Sequence, residues 1–245
     1  MNPLIGLYEL NKWYGPLKAL DRLTIEVHGG EIYGLLGPNG AGKTTALSCL
    51  AGLSRADSGR VMVAGEDVRT RQRQAAVRLA LIPDRPHLPD RLTVIEVGEY
   101  SLGLRGAGTR EARRRFSPWL ERFGLADKVD SLISELSHGM RQKVVFSTAL
   151  AADTDVLVVD EPMVGLDVPA QRLVLDILRE KADAGSAVLV TTHTLAVAQK
   201  LCTRVGILDH GQLLEEGAPE ELSRARGRPD LEEVFLDLLR EGQQA

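Results

Sequence analysis

Cysteine is nearly absent from this chain: Cys49 and Cys202 are the two it has. They lie far apart and without the spacing of a zinc site, so buried thiols are expected rather than a disulfide or a metal knot. No apolar run approaches the length needed to cross a bilayer. The stretch from Met1 to Gly15 lacks a basic segment followed by an apolar core, and Glu9 interrupts it, so no secretory signal is read there and a cytoplasmic location is expected. A basic excess is missing too. The net charge of −4 argues against a protein whose main work is neutralising nucleic-acid phosphates, and no nucleic-acid partner is expected. Internal repeats and low-complexity tracts are lacking. What remains is an ordinary globular composition, 245 residues with 44% apolar and 26% charged, enough to bury a sizeable core as one large domain or two small ones.

Against that background one stretch stands out. Gly37-Pro38-Asn39-Gly40-Ala41-Gly42-Lys43-Thr44-Thr45 fits G-x-x-x-x-G-K-[ST] at every fixed position. Its glycines let backbone N–H groups turn inward around polyphosphate oxygens. Lys43 supplies a point charge at the β and γ phosphates, and Thr44 offers a hydroxyl to Mg²⁺. The apolar run Ile32 to Leu36 precedes it and the helix-forming run Ala46 to Ala51 follows, so the loop lies at a strand-to-helix turn with a helix N-terminus facing the phosphates.

Leu4 to Leu10 and Leu23 to Val27 read as strands around a polar segment, Asn11 to Pro16. Arg60 to Ala64 and Leu79 to Ile82 are further strands. From about Leu88 to Ala152 the texture becomes helical: Ala112, Phe116, Trp119, Leu120 and Phe123 share one helical face, although Pro118 argues against an unbroken helix. Strand character returns at Val156 to Val159. A helix from Pro169 to Asp183, a strand from Ala187 to Val190, a helix from Leu195 to Leu201 and a hairpin around Asp209-His210-Gly211 follow, and a helix starting at Asp230 ends the chain. Alternating strands and helices imply a largely parallel sheet covered on both faces. The basic runs Arg69 to Arg78 and Arg113-Arg114-Arg115 read most simply as solvated helix faces, the alternative being contact with RNA or acidic lipid headgroups, and His28, His87 and His210 read as loop residues.

Asp160 closes a buried strand, the position from which a carboxylate holds Mg²⁺ through its water shell, and Glu161 follows at once, placed to orient or deprotonate a water beside the γ-phosphate. Ser137 and Gly139 open a helix and could offer an anion contact, although read alone Ser137 is a plain helix cap. His193 ends the strand from Ala187.

In order and spacing, GPNGAGKTT at 37–45, LSHGMRQ at 136–142, VLVVDEP at 156–162, GLD at 165–167 and TTH at 191–193 resemble the ATPase subunit of an ATP-binding cassette (ABC) transporter over nearly the whole chain. The resemblance implies an α/β P-loop NTPase fold with a RecA-like, mostly parallel sheet core, an N-terminal antiparallel β subdomain and an α-helical subdomain inserted at about residues 88–152. It implies a single ATPase domain over residues 1–222 and a helical tail over 223–245. It makes Tyr14 the aromatic that stacks on adenine, Glu161 the catalytic base and His193 a γ-phosphate contact, with Lys43 on the same phosphates. Thr44, Asp84 and Asp160 would serve Mg²⁺. Ser137 and Gly139 would contact ATP held by the loop of a second ATPase subunit, in a head-to-tail sandwich, expected to be a homodimer, with Asp167 at the interface. A polytopic membrane permease is implied as partner, on the inner face of the cell membrane and coupled near Asp84 to Leu104.

Two positions depart from the family's pattern. Asp84 stands where a glutamine is usual, shorter, charged and without an amide donor. His138 and Met140 stand in the signature where glycine and glutamine are usual. That variant signature and the tail Leu231-Glu232-Glu233-Val234-Phe235 look more like exporter-type cassettes than importers. The rival reading is a soluble ATPase of the same kind acting on ribosomes or DNA.

Overall fold

A computed structural model describes residues 2–242; Met1 and residues 243–245, the outer ends of the two expected spans, lie outside the described residues. In chain order the strands are β1 (Ile5–Tyr14), β2 (Leu17–Val27), β3 (Ile32–Leu36), β4 (Ser58–Val63), β5 (Glu66–Asp67), β6 (Leu79–Ile82), β7 (Val156–Asp160), β8 (Ala187–Thr192), β9 (Arg204–Asp209) and β10 (Gln212–Gly217). The helices are α1 (Lys43–Leu50), α2 (Gln72–Arg78), α3 (Val94–Gly103), α4 (Thr109–Arg122), α5 (His138–Ala151), α6 (Val168–Asp183), α7 (Leu195–Leu201), α8 (Pro219–Ala225) and α9 (Leu231–Gly242).

The central sheet runs β10-β9-β3-β8-β7-β6. Strands β9, β3, β8, β7 and β6 pair in parallel, and β10 is the antiparallel edge. Strands β3 and β8 are buried along their whole length, as expected for parallel strands covered on both faces. Their alternation sorts the core. Leu157, Val159, Val188 and Val190 face the layer of α5, α6, α7 and α9. Val156, Val158, Ala187 and Leu189 face α1 and the second sheet. That second sheet is antiparallel with order β2-β1-β4-β5. The α/β architecture with an N-terminal antiparallel β subdomain and an inserted helical subdomain is therefore present as expected.

The inserted helices α3, α4 and α5 bury a core of their own, including Val97, Leu102, Phe116, Leu120 and Val144. Helix α5 belongs to both units, because Val145, Phe146 and Leu150 on its other side join the sheet's core. It is thus both the crossover helix from β6 to β7 and the stem of the insertion.

Three local expectations need correction. The segment Asn11 to Tyr14 continues β1 rather than forming a loop, and the turn is confined to Gly15-Pro16. Bulges absorb its polar residues: the register shifts between Leu7 and Leu10, where Glu9 has φ 50°. The Asn11 amide then donates to Glu9 O at 2.9 Å and accepts from Arg22 N at 3.1 Å. Pro118 sits inside α4 without ending it; it removes one backbone N–H, but Phe116 and Leu120, both 0% exposed, anchor the helix on either side. Helix α8 was not anticipated, and residue 222 falls inside it. Leu231, Val234 and Leu238 of α9 are buried in the sheet's core, so the tail docks on the domain.

The basic runs pair on the surface: Arg71 with Glu66, Arg78 with Asp155, Arg113 with Glu99 and Arg115 with Glu111. Both cysteines are buried and free. Among the described residues no helix is long and apolar enough to cross a membrane.

Candidate active site

The parallel strands end along one edge, and four of the expected segments lie there: the glycine loop after β3, Asp84 after β6, Asp160-Glu161 at the end of β7 and His193 after β8. This is the crevice outside the carboxyl ends of the strands where open α/β sheets bind ligands.

The loop enters α1 through Gly42, which caps the helix with φ 111°. A Cβ there would come within 2.6 Å of the Ala19 carbonyl, so both backbone conformation and space require glycine. The first turn of α1 carries no acidic residue, leaving its positive end for an external anion. Thr44 is exposed in that turn. Lys43 is 8% exposed, and its ammonium donates to Gly37 O at 2.6 Å and Pro38 O at 3.0 Å. Burial pushes its pKa below the ordinary lysine value, and the charges of Glu161 and Asp160 pull it back up.

Asp160 accepts a hydrogen bond from the Thr191 hydroxyl on the neighbouring strand. Burial raises its pKa, and the nearby carboxylates of Asp84 and Glu161 add to the rise. Glu161 has φ 49°, a left-handed conformation that turns its side chain back over the strand ends. Its Oε1 accepts from the His193 backbone N–H at 3.1 Å and lies 2.7 Å from His193 Nδ1; its Oε2 accepts from Thr192 Oγ1 at 3.2 Å. With Nδ1–H directed at the carboxylate, Nε2 is left on a ring that is 64% exposed. Asp84 is half-exposed and only loosely paired with Arg85, at 3.8 Å.

Ser137, Gly139 and Tyr14 are placed differently. Ser137 caps α5, accepting from Met140 N at 3.3 Å, the role that sequence alone favoured. A Cβ on Gly139 would come within 2.7 Å of the Gly165 carbonyl, and His138 packs against Gly165. Lys143 meets Asp167 at 3.2 Å, while Asp167 caps α6 by accepting from Ala170 N at 2.9 Å. Segments 137–143 and 165–167 thus form one unit. No hydrogen bond or ion pair among the described residues joins Ser137 or Gly139 to Lys43, Asp160, Glu161 or His193. Tyr14 ends β1 half-exposed, with Lys12 Nζ 5.3 Å from its ring centre. Its hairpin reaches the glycine loop through Ala19.

The residues fit a hydrated cation. Among the described residues no group of three or more His, Cys, Asp or Glu side chains could hold a metal. Mg²⁺ needs no such cage, since it keeps several waters and takes one or two protein oxygens alongside phosphate oxygens. The Thr44 hydroxyl and Asp160 supply that number, and the crowding of Asp160 by Asp84 and Glu161 is relieved by a divalent charge.

Three contributors escaped the sequence reading. Thr191 and Thr192 orient Asp160 and Glu161; the sequence singles them out only within TTH at 191–193, and their signal is two hydroxyls ending an apolar strand. Gln142, fully buried in α5, donates to Pro83 O at 3.0 Å; its signal was an amide ahead of an otherwise apolar helical run.

With this geometry in view, the ABC transporter family profile matches residues 20–164. The Nod factor export ATP-binding protein I of Burkholderia orbicola is 38% identical over 231 residues, covering 94% of this chain and 76% of that protein. A solved ATP-binding subunit of an ABC transporter superposes with a TM-score of 0.91 at 30% identity, over 96% of this chain and 99% of its own. An ATP-binding cassette solved as a dimer in a post-hydrolysis state with ADP and Pi shares the fold, with a TM-score of 0.79 at 24% identity over 87% and 98% of the two chains.

Proposed function

The chain belongs to the ABC transporter family as an ATP-binding, ATP-hydrolysing subunit, and from that premise we propose that it powers export through a separate membrane permease by ATP-driven dimerisation. The direction of transport is supported by the export function carried in the name of the Burkholderia relative. The proposal places the chain at the inner face of the membrane, as a peripheral subunit.

One observation carries the site: a single sheet edge gathers a phosphate loop, a crowded carboxylate and a second carboxylate clasped by a histidine. The backbone N–H groups of residues 40–45 and the Lys43 ammonium hold the phosphates. Thr44 and Asp160, with Asp84 nearby, would hold Mg²⁺, which would supply positive charge to offset that of the phosphates. Glu161 takes the proton of the attacking water. His193, its Nδ1 engaged by Glu161, has Nε2 left to touch the γ-phosphate. Tyr14 stacks on the adenine.

A composite site is supported by the unit of Ser137, Gly139 and Gly165, which lies exposed or half-exposed and among the described residues has no hydrogen bond or ion pair to Lys43, Asp160, Glu161 or His193, and by the dimeric state of the post-hydrolysis cassette. A second copy of this chain is the proposed partner. Permease docking is supported by a groove of about 330 Å³ between the helical subdomain and the sheet, lined by Pro83, Leu88, Leu104, Arg105 and Val145. Purification from membranes in mild detergent tests this: a polytopic membrane protein is expected to come with the chain. Recovery with ribosomes or DNA and none with membranes would overturn it.

A further inference from the structure

Gln142 is the fifth residue of α5 and is 0% exposed. Its Nε2 donates to Pro83 O at 3.0 Å, and its Oε1 is buried without a hydrogen-bond partner among the described residues. The orientation of the amide follows from the Pro83 carbonyl, which only a donor satisfies.

Stability does not account for a glutamine here. An orphaned buried acceptor costs at least as much as one hydrogen bond returns, and a leucine of similar size would remove that orphan while leaving the Pro83 carbonyl without this donor, so the two residues come out close in stability. What the amide does supply is a connection. At one end lies Pro83, with φ fixed by its ring, followed directly by Asp84, whose charge is felt at Asp160. At the other end lies α5, whose first residues follow the Ser137 cap. Five residues of helix, a rise of roughly 7 Å, separate Gln142 from Ser137, so that end of α5 moves with it as a rigid body. Asp84 has no amide of its own with which to hold α5, which leaves the Pro83 carbonyl to do so.

We propose that Gln142 is a positioning residue that ties the Pro83-Asp84 segment to α5, so that the place Asp84 takes at the nucleotide sets the place from which Ser137 and Gly139 meet a second copy of the chain. This rests on the composite site described above. The unsatisfied Oε1 keeps the tie from being locked in one arrangement, since any shift that brings it a donor is favoured.

The test is Gln142→Leu in the full chain, measured for ATP dissociation constant, kcat for phosphate release and Tm. The tie predicts an unchanged dissociation constant, a Tm close to wild type and a kcat reduced about tenfold, the scale of one lost positioning hydrogen bond. Gln142→Glu serves as the conservative variant. A buried carboxyl titrates high, and in its protonated form it donates the same bond. Its kcat relative to wild type therefore recovers as pH is lowered, whereas that of Gln142→Leu does not. A wild-type kcat in Gln142→Leu, or a fall in Tm with no change in kcat, would overturn the proposal. The composite site fails by a different measurement: a Glu161→Gln variant that stays monomeric in excess ATP by light scattering.

Discussion

Replacing Glu161 with glutamine removes one charge while keeping side-chain length, and the surroundings of the carboxylate indicate what else changes. The introduced amide oxygen can still accept from His193 N–H and Nδ1–H, now at 3.1 and 2.7 Å. The amide nitrogen then lies beside Thr192 Oγ1, now 3.2 Å from the carboxylate, and must donate to it. That hydroxyl oxygen already accepts from Thr194 N at 3.0 Å but has a second lone pair. A charge-assisted hydrogen bond is exchanged for a neutral one, and the Thr192 hydroxyl proton turns elsewhere. The fold should change in stability by about 1 kcal/mol, a shift in Tm of ~2–4 °C for a chain of this size. Turnover is another matter. Loss of a general base costs about 10²–10⁴ in rate, or roughly 2.7–5.5 kcal/mol in the barrier at ~1.36 kcal/mol per tenfold. The assay is phosphate release at saturating ATP, alongside a fluorescent ATP analogue for affinity and light scattering for assembly. Glu161→Gln should turn over at least about a hundredfold more slowly, bind ATP as the wild type does, and accumulate as an ATP-bound dimer. A kcat within about tenfold of wild type would remove Glu161 from the role of base.

Lys43→Ala should weaken ATP binding at least about tenfold, the value of a lost charge-assisted hydrogen bond, without lowering Tm, because a buried ammonium goes with it; calorimetric affinity equal to wild type would contradict the phosphate contact. Asp84→Gln should change the ratio of transport to ATP hydrolysis in the reconstituted transporter while leaving nucleotide affinity nearly unchanged, and a large loss of affinity would show that Asp84 is a primary ligand. Glu180 is held below its ordinary value of 4.5 by its hydrogen bond with Arg122. Its stabilising contribution is therefore complete above pH 4.5 and lost as pH falls through the folded value, so the small Tm gap between wild type and Glu180→Gln should close in acid; a gap that persists there would mean the pair is not ionic. Burial pushes the Cys202 thiol up to about 12 and raises Cys49 as well, so neither should react with a thiol reagent in the native state at neutral pH, and rapid labelling of the folded chain would refute their burial.

What could be read from the sequence was what depends on neighbours in the chain. The glycine loop declares itself because Gly42 must adopt a left-handed conformation against Ala19 and Lys43 must follow it, and such demands leave a local pattern. The strand Val156 to Val159 running into Asp160 is legible for the same reason, since a strand covered on both faces permits few polar residues before its end. Asn11 to Tyr14 misled because polar residues usually mark a loop; here the bulge beside Glu9 and the buried Asn11 amide let the strand continue, and both depend on β2. Pro118 misled because propensity is judged without the packing of Phe116 and Leu120. Thr191, Thr192 and Gln142 stayed hidden because each acts across the fold, on Asp160, Glu161 and Pro83, and nothing within a few residues of any of them records the partner. The pairing of Gly139 with Gly165 and of Lys143 with Asp167 is of the same kind.

The edge that carries the site also carries three local penalties. Glu161 holds a left-handed backbone, at a cost of about 1–2 kcal/mol for a residue other than glycine. Asp160 is harder to ionise than a free aspartate because it is buried beside Asp84 and Glu161. Lys43, equally buried, has loop carbonyls for partners where a carboxylate or phosphate would serve its charge better. The three penalties differ in origin, but one event relieves the electrostatic pair together: phosphate oxygens arriving at Lys43 with a divalent cation at Asp160. The backbone strain would remain, because it accompanies the turn that brings the Glu161 carboxylate to His193. The asymmetry assigns the two adjacent carboxylates different work. Asp160, unstrained and crowded, is suited to bind a cation. Glu161, strained and clasped by its histidine and threonine partners, is suited to stay free of the cation and accept a proton.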